Sequence, residues 1–288
     1  MVELSPQFAD GPVACSTRGA SWLTFPASTS TEPAGETDDE LVTGAGVLRG
    51  HLTFAADAAP LAFRPLGAAG AVPLVVSTEA QVRRPVRDAE SEPPFDLSRF
   101  PCVLHSRAGE RIPCELLAWS DGKLTIRHPF GDGAGQVDAE QFQALDFVGE
   151  TLAADSYPTT EDFGELLERA LVIPRFRRKN PDDYLIVARS DDVMRGELVS
   201  ILGGVLRIES KLKEQDVPVE RLSLVVNIEE RAPDELAGAR LTLDDGTVLV
   251  ITPDTVEEGL LRGRSVACGE GAVPIGRITE VQFGPAIA

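Results

Sequence analysis

The sequence predicts an all-β protein built from about four tandem small β-barrels of five strands each, with one short linker helix. One observation behind this prediction is a pattern that occurs twice, in 196–210 (GELVSILGGVLRIES) and in 115–128 (ELLAWSDGKLTIRH). Each stretch has an alternating apolar run, a turn with glycine and a second alternating run. Alternation with a period of two is typical of half-buried strands, and such turns are typical of hairpins. Repetition of the pattern indicates a repeat architecture.

A second observation is the element that ends the last two copies. The copy at 183–231 ends with DVPVERLSLVVNI, and the copy at 237–285 ends with AVPIGRITEVQF. Both contain V-P-x-x-R-[LI]-x-x-V, from Val217 to Val225 and from Val273 to Val281. A proline turn before a closing strand suits a short 3₁₀ step. Five short strands with such a turn indicate a small barrel of the Sm-like or Src-homology type, repeated along the chain.

The two N-terminal copies are less regular. Residues 101–150 contain the strands CVLHSR, IPCELLAW, KLTIRHPF and QALDFV. Residues 20–84 are interpreted as a degenerate barrel that follows an N-terminal tail at 1–19. Its first strand is predicted at 21–25 (SWLTF), followed near 26–46 by a polar insertion that we expect to be mobile and dispensable for the fold. The alternative is an unstructured N-terminus ahead of a three-strand fragment.

Two linkers separate the predicted copies. Residues 85–100 are charged and rich in proline, as linkers often are. Residues 151–182 include a predicted helix near 160–171, with an N-cap at Thr160 and a stop at Pro174. Its apolar residues recur at helical spacing: Phe163, Leu166, Leu167, Ala170 and Leu171. Because only a short stretch separates the third and fourth copies, we expect them to form the tightest pair.

Composition excludes several classes of function. The chain has 288 residues, with 46 acidic and 27 basic side chains, an excess of 19 acids. This charge repels phosphate backbones, so we expect no nucleic-acid partner. No apolar run is long enough to predict a transmembrane segment, and the N-terminus lacks the basic start and apolar core of a secretory signal.

Cys102 and Cys114 form the sharpest local feature. If the hairpin turns at Ala108–Gly109, the two cysteines lie directly across from each other on neighbouring strands. Opposed side chains in a sheet lie within about 5.5 Å, which allows contact and is marginal for a disulfide. The pair is therefore either two small core thiols or a cross-strand disulfide. His105 points to the opposite face of the strand from Cys102, which argues against a shared metal site.

One basic patch stands out in this acidic chain. Residues 174–179 (PRFRRK) contain the candidate docking residues Arg175, Arg177, Arg178 and Lys179. The patch could bind an anionic partner or the acidic face of a neighbouring barrel, and we favour the second use because acids dominate elsewhere. The sequence lacks the P-loop, HExxH, GxSxG and paired-cysteine motifs, so we assign no catalytic residue, cofactor site or metal site.

The third copy and its lead-in contain Ile173–Arg175, Arg177–Arg178, Asn180–Pro181, Gly196 and Val217–Pro218. This set of residues resembles a segment of large multidomain proteins of planctomycete-type bacteria. In that family an "IPR-x-RR-x-NP" lead-in precedes small-barrel repeats, and residues from about 20 to 284 fit this organisation. The resemblance implies non-catalytic modules of envelope-associated proteins, and it suggests a location in the bacterial cell envelope or periplasm.

Three functions follow from these observations. The first is a non-enzymatic scaffold or protein-binding subunit, whose barrel edges and loops bind protein partners or a second copy of the chain. The second is an enzyme that acts on glycans through paired carboxylates. The third is an Sm-like nucleic-acid-binding protein, which would need a basic stripe with stacking aromatics. We favour the first, because the sequence has repeats and variable loops and shows no active-site pattern.

Overall fold

The structure is a computed structural model, and it describes residues 2–4, 13–15, 38–43, 46–54, 61–68, 70–74, 80–85, 99–147, 184–188, 193–210, 213–228, 238–265 and 267–283. Within these residues the fold is antiparallel and all-β, which confirms the all-β part of the prediction. Two 3₁₀ turns have described bounds, Val219–Arg221 and Ile275–Arg277. The predicted helix at 160–171 lies outside the described residues.

The strands fall into an N-terminal hairpin and four units. The hairpin pairs β1 (Val2–Leu4) with β2 (Val13–Cys15) in a separate sheet. Unit one contains β3 (Asp39–Thr43), β4 (Gly46–Phe54), β5 (Leu61–Pro65), β6 (Val72–Pro73) and β7 (Ala80–Arg83). Unit two contains β8 (Cys102–Ser106), β9 (Arg111–Ser120), β10 (Lys123–Arg127), β11 (Ala134–Asp138) and β12 (Phe142–Phe147).

The C-terminal half supplies the other two units. Unit three contains β13 (Tyr184–Ala188), β14 (Val193–Leu202), β15 (Val205–Ser210), β16 (Lys213–Pro218) and β17 (Leu222–Asn227). Unit four contains β18 (Ala239–Leu243), β19 (Val248–Glu257), β20 (Leu260–Ser265), β21 (Gly269–Pro274) and β22 (Ile278–Phe283). In both units the predicted proline turn is a 3₁₀ turn that leads into the last strand.

Strand pairing follows one order in all four units. The first four strands are antiparallel neighbours in chain order, and the fifth strand returns to pair with the first. Within the described residues, the fourth strand of each unit has a single strand partner, so each unit has an open sheet edge there.

The second strand of each unit is long because its first half pairs with the first strand and its second half pairs with the third strand. In unit three, Val193–Gly196 of β14 pair with β13, and Glu197–Leu202 pair with β15. Gly196 lies at the change of partner, where a Cβ atom would come 2.2 Å from the carbonyl oxygen of Glu209. Gly50 lies at the same position of β4, and its Cβ would come 2.2 Å from the carbonyl oxygen of Arg64. Close backbone approach therefore explains why the sequence has glycine at both bends.

The closing strands join the units in pairs. Strand β12 of unit two pairs antiparallel with β17 of unit three, with Leu145 opposite Val225. Strand β7 of unit one pairs antiparallel with β22 of unit four, with Val82 opposite Val281. The expectation that the third and fourth copies form the tightest pair is therefore wrong, because it relied on linker length and ignored the free edges of the closing strands.

Aromatic side chains fill the joint between units two and three. The ring of Trp119 lies 5.5 Å from that of Phe142 and 5.6 Å from that of Tyr184, both in edge-on contact. Trp119 also pairs with Ile201 of β14, which brings β9 against the neighbouring unit. Such aromatic pairs add about 0.5–1.5 kcal/mol each beyond the burial of their area.

A buried ion pair lies at the joint between units one and four. Asp39 accepts a hydrogen bond from the Leu52 amide at 2.6 Å and lies 3.6 Å from the Arg84 guanidinium. Arg84 in turn donates to the carbonyl oxygens of Ile275 (2.7 Å) and Ile278 (3.0 Å) in unit four. A buried charge is tolerated only when it is paired and hydrogen-bonded, and these contacts meet that condition.

These contacts correct the predicted insertion near 26–46. Residues 39–43 form β3, the first strand of unit one, and Asp39 is fully buried instead of lying in a solvated loop. The expectation of a mobile insertion is therefore wrong for 39–43, and a deletion that includes these residues would remove the strand. The strand predicted at 21–25 lies outside the described residues. Polar composition misled the prediction because Asp39 and Glu40 are strand residues held by Arg84 and Arg49.

We predict that Gly204→Val destabilises the fold by about 1–3 kcal/mol, because Gly203 and Gly204 both have positive φ (58° and 78°) in the turn between β14 and β15. Urea denaturation of both proteins measures the change. Gly276→Ala is the control, since a Cβ there meets nothing within 4 Å. Equal stability of the two variants would contradict a strained turn at Gly204.

Candidate interaction surface

The outward face of unit three carries a group of exposed apolar side chains. Of the six large apolar side chains exposed in the described residues, four lie on β14 and β15: Val193, Val199, Leu202 and Val205. Leu202 pairs directly with Val205 across the turn, and the two are 55% and 37% exposed. Val199 lies at the bulge of β14, between Leu198 and Ser200. Val193 lies at the opposite end of β14, so the adjacent exposed pair is Leu202 with Val205. Contiguous exposed apolar surface marks interaction sites, whereas scattered single side chains do not.

Units two and four provide internal comparisons, because their second and third strands align with β14 and β15 without a gap. All three hairpins have a bulge at the same position and two consecutive turn residues with positive φ. At the position of Leu202, unit two has Ser120 and unit four has Glu257, both exposed. The exposed apolar pair beside the turn is therefore specific to unit three.

The charge pattern of this face is also specific to unit three. Glu197 of β14 lies opposite Glu209 of β15, which in turn lies opposite Glu214 of β16. Like charges directly opposite one another destabilise a sheet. At the corresponding positions, unit two pairs Glu115 with Arg127 through a hydrogen bond, and unit four pairs Arg264 with Glu270 at 2.9 Å. Unit three thus keeps a row of carboxylates where units two and four have ion pairs.

Strand β16 is the exposed edge of this face. Lys213, Glu214, Gln215 and Asp216 are all exposed. Arg207 of β15 donates to Asp216 from Nε (2.8 Å) and Nη2 (3.2 Å), and these bonds lower the pKa of Asp216. The Arg207 guanidinium also lies 3.8 Å from Glu214. Both charged groups of this pair are exposed, so we expect it to order β16 more than to stabilise it.

The edges of the other units are shorter or covered. In unit four, the Ala272 amide of β21 donates to the carbonyl oxygen of Phe130 in unit two at 2.8 Å. In unit two, a Cβ on Gly135 of β11 would come 3.2 Å from the carbonyl oxygen of Cys268, so this edge faces unit four. In unit one, β6 has only two residues. Within the described part of the chain, β16 is therefore the longest edge strand that faces solvent.

Glu110 holds units two and four together. Its Oε1 accepts hydrogen bonds from Ser265 Oγ (2.7 Å) and the Val250 amide (3.0 Å), both in unit four. Its Oε2 accepts from Ser106 Oγ at 2.9 Å. Burial raises the pKa of the Glu110 carboxyl, and these hydrogen bonds oppose the rise. Sequence reasoning missed this residue, because a glutamate after a hairpin turn is usually solvated and its partners in unit four lie 140 and 155 residues away.

Cys102 and Cys114 lie directly opposite each other, in the register that a turn at Ala108–Gly109 predicts. Both are free thiols in the core. Burial raises the pKa of Cys102 to about 12 and raises that of Cys114 well above its usual value, so neither forms a reactive thiolate at neutral pH. Cys268 of unit four is a third buried free thiol.

Other predicted site residues have different outcomes. The docking patch of Arg175, Arg177, Arg178 and Lys179 lies outside the described residues. His105 is buried on the face of β8 opposite Cys102, and burial lowers its pKa to about 3. Within the described residues, no group of three or more His, Cys, Asp or Glu side chains could hold a metal ion. No helix in that part of the chain is long and apolar enough to cross a membrane.

No protein-family model matches the chain, and no curated protein matches it in sequence. The candidate surface therefore rests on its geometry and on the comparison between units of the same chain.

We predict that Glu110→Gln changes how stability depends on pH. Because the folded state raises the pKa of Glu110, wild type should lose stability as pH rises above about 4.5, the ordinary value for this carboxyl. Glutamine cannot ionise and keeps the shape, so the stability of wild type relative to the variant should fall as pH increases. Urea denaturation between about pH 4.5 and 8 measures this difference. The control is Glu220→Gln on an exposed 3₁₀ turn, and a Glu110→Gln profile parallel to wild type would contradict the prediction.

Proposed function

We propose that the chain is a non-catalytic scaffold or protein-binding subunit that binds its partner through the outward face of unit three. The observation that carries the proposal is the exposed apolar pair Leu202–Val205 next to the open edge of β16. Burial of apolar surface is the main source of protein–protein affinity, at about 25 cal/mol per Å² removed from water before association costs. Equivalent positions in units two and four include polar residues, which supports a function beyond folding for this face.

The proposal includes the nature of the units. We propose that each is a small five-stranded barrel of the Sm-like or Src-homology type. Three features support this: the strand order, the long second strand with its glycine or bulge, and the 3₁₀ turn before the last strand in units three and four. A scaffold of such units presents loops and strand edges while its cores supply rigidity.

The chain's acidity supports a protein partner over a nucleic acid. The excess of 19 acids repels phosphate, and the outward face of unit three places Glu197, Glu209 and Glu214 in one row. A partner for this face needs apolar side chains for Leu202 and Val205 and basic side chains for the carboxylates. Complementary charge of this kind fixes partner choice and speeds association.

We predict that a Leu202→Ser, Val205→Ser variant loses its partner in native-host cells. Tagged full-length wild type and variant are purified side by side, and partners are quantified by mass spectrometry. The variant should lose a specific co-purifying protein by about tenfold or more, since two exposed apolar anchors are removed. The control is Val47→Ser on unit one, which removes an apolar side chain that is 57% exposed.

The control should keep the partner that the double variant loses. Retention of the same proteins by both variants, or loss from both alike, would contradict a binding role for this face. Circular dichroism of all three proteins checks that the substitutions leave the β fold intact.

A further inference from the structure

The face of each residue on β16 follows from its register. Gln215 lies opposite Ile208, which is fully buried, so Gln215 is on the inner side of the sheet. Glu214, Asp216 and Pro218 alternate with it and are on the outward side. The outward side of this edge strand therefore has two acidic residues followed by an apolar one.

A strand added to β16 would extend these rows. Side chains directly opposite each other on paired strands are on the same face and interact. Basic residues of the added strand that lie opposite Glu214 and Asp216 would therefore stabilise the pairing by charge attraction. The residue opposite Pro218 would continue the apolar row of Leu202, Val205 and Pro218.

The same pairing rule argues against a second copy of β16 as the partner. Two copies of β16 that pair antiparallel are related by a two-fold axis perpendicular to the sheet. This axis leaves each side chain on the same face of the sheet in both copies. Antiparallel self-pairing centred on Gln215 would put Glu214 opposite Asp216, and pairing centred on Glu214 would put that residue opposite itself. Both registers oppose like charges, which destabilises the pair.

The neighbouring charges also favour a basic partner. The Arg207 guanidinium lies 3.8 Å from Glu214 and is already hydrogen-bonded to Asp216. Glu209 lies opposite Glu214 and occupies the position that Arg264 has in unit four, so unit three lacks the cation that pairs with Glu270 there. Two other basic residues lie on these strands. Arg195 is on β14, two residues before Glu197, and Lys213 is the first residue of β16.

We propose that β16 is the acceptor edge for an extended segment of a partner protein that has an apolar residue followed by basic residues at alternate positions. In antiparallel register the segment would read apolar-x-basic-x-basic. Backbone hydrogen bonds to β16 would supply affinity, and the carboxylates would supply specificity, as in other cases of strand addition. This inference rests on the proposed function, since it specifies how the partner is held.

The test uses the full-length chain and the synthetic peptide acetyl-Thr-Val-Thr-Arg-Thr-Arg-Thr-amide. Amide chemical shifts in NMR should change on titration at Lys213–Val217, and Glu214→Lys should weaken peptide binding by at least about tenfold. Replacing both arginines of the peptide by glutamate should abolish binding to wild type and restore part of the binding to Glu214→Lys. Higher salt should weaken the wild-type complex.

The matched control is Glu270→Lys, at the equivalent position of β21 in unit four. This edge strand already has the Phe130 carbonyl as a neighbour, so the substitution should leave peptide affinity unchanged. Shift changes away from β16, equal effects of Glu214→Lys and Glu270→Lys, or no binding at millimolar peptide would overturn the inference. If the peptide fails while Leu202→Ser, Val205→Ser still loses the cellular partner, strand addition is wrong and the proposed function stands.

Discussion

Pairing between closing strands is the constraint on which the rest of the structure depends. Each fifth strand uses one edge for the first strand of its own unit and the other edge for the fifth strand of another unit. Units two and three are thereby joined into one antiparallel run of strands, as are units one and four. The open edges that remain lie at the far ends of these runs, on the fourth strands. Contacts between units two and four cover two of these edges, and β16 stays exposed.

Comparison of the four units distinguishes features that the fold requires from features that it does not require. Features that recur have structural reasons: the positive-φ turns, the bulges and the glycines at Gly50 and Gly196. Features that occur in one unit and break a local rule need another reason. The glutamate row from Glu197 to Glu214 and the exposed Leu202–Val205 pair are of this second kind. Departures from local consistency tend to lie at functional sites, which is the basis of the proposed binding face.

Local patterns predicted the parts of the fold that local chemistry determines. The hairpin turn fixed the Cys102–Cys114 register, the glycine pair predicted the turn at Gly203–Gly204, and the V-P motif predicted both 3₁₀ turns. Contacts between distant residues were not predictable in this way. The residues next to Asp39 in sequence do not show that Arg84 will pair with it. Those next to Glu110 do not show that Ser265 will donate a hydrogen bond to it. The exposed face could have been found by aligning the hairpins, since polar residues align with Leu202.

Cross-strand nuclear Overhauser effects between the backbones of β12 and β17 test the joining of the units most directly. We expect them at the three paired positions Ala144–Val226, Leu145–Val225 and Asp146–Leu224, and between β7 and β22 at Val82–Val281. Their absence, together with effects that connect β17 of unit three to β22 of unit four, would contradict the joining of units through these closing strands. Such a result would also remove the reason for placing β16 at an exposed end.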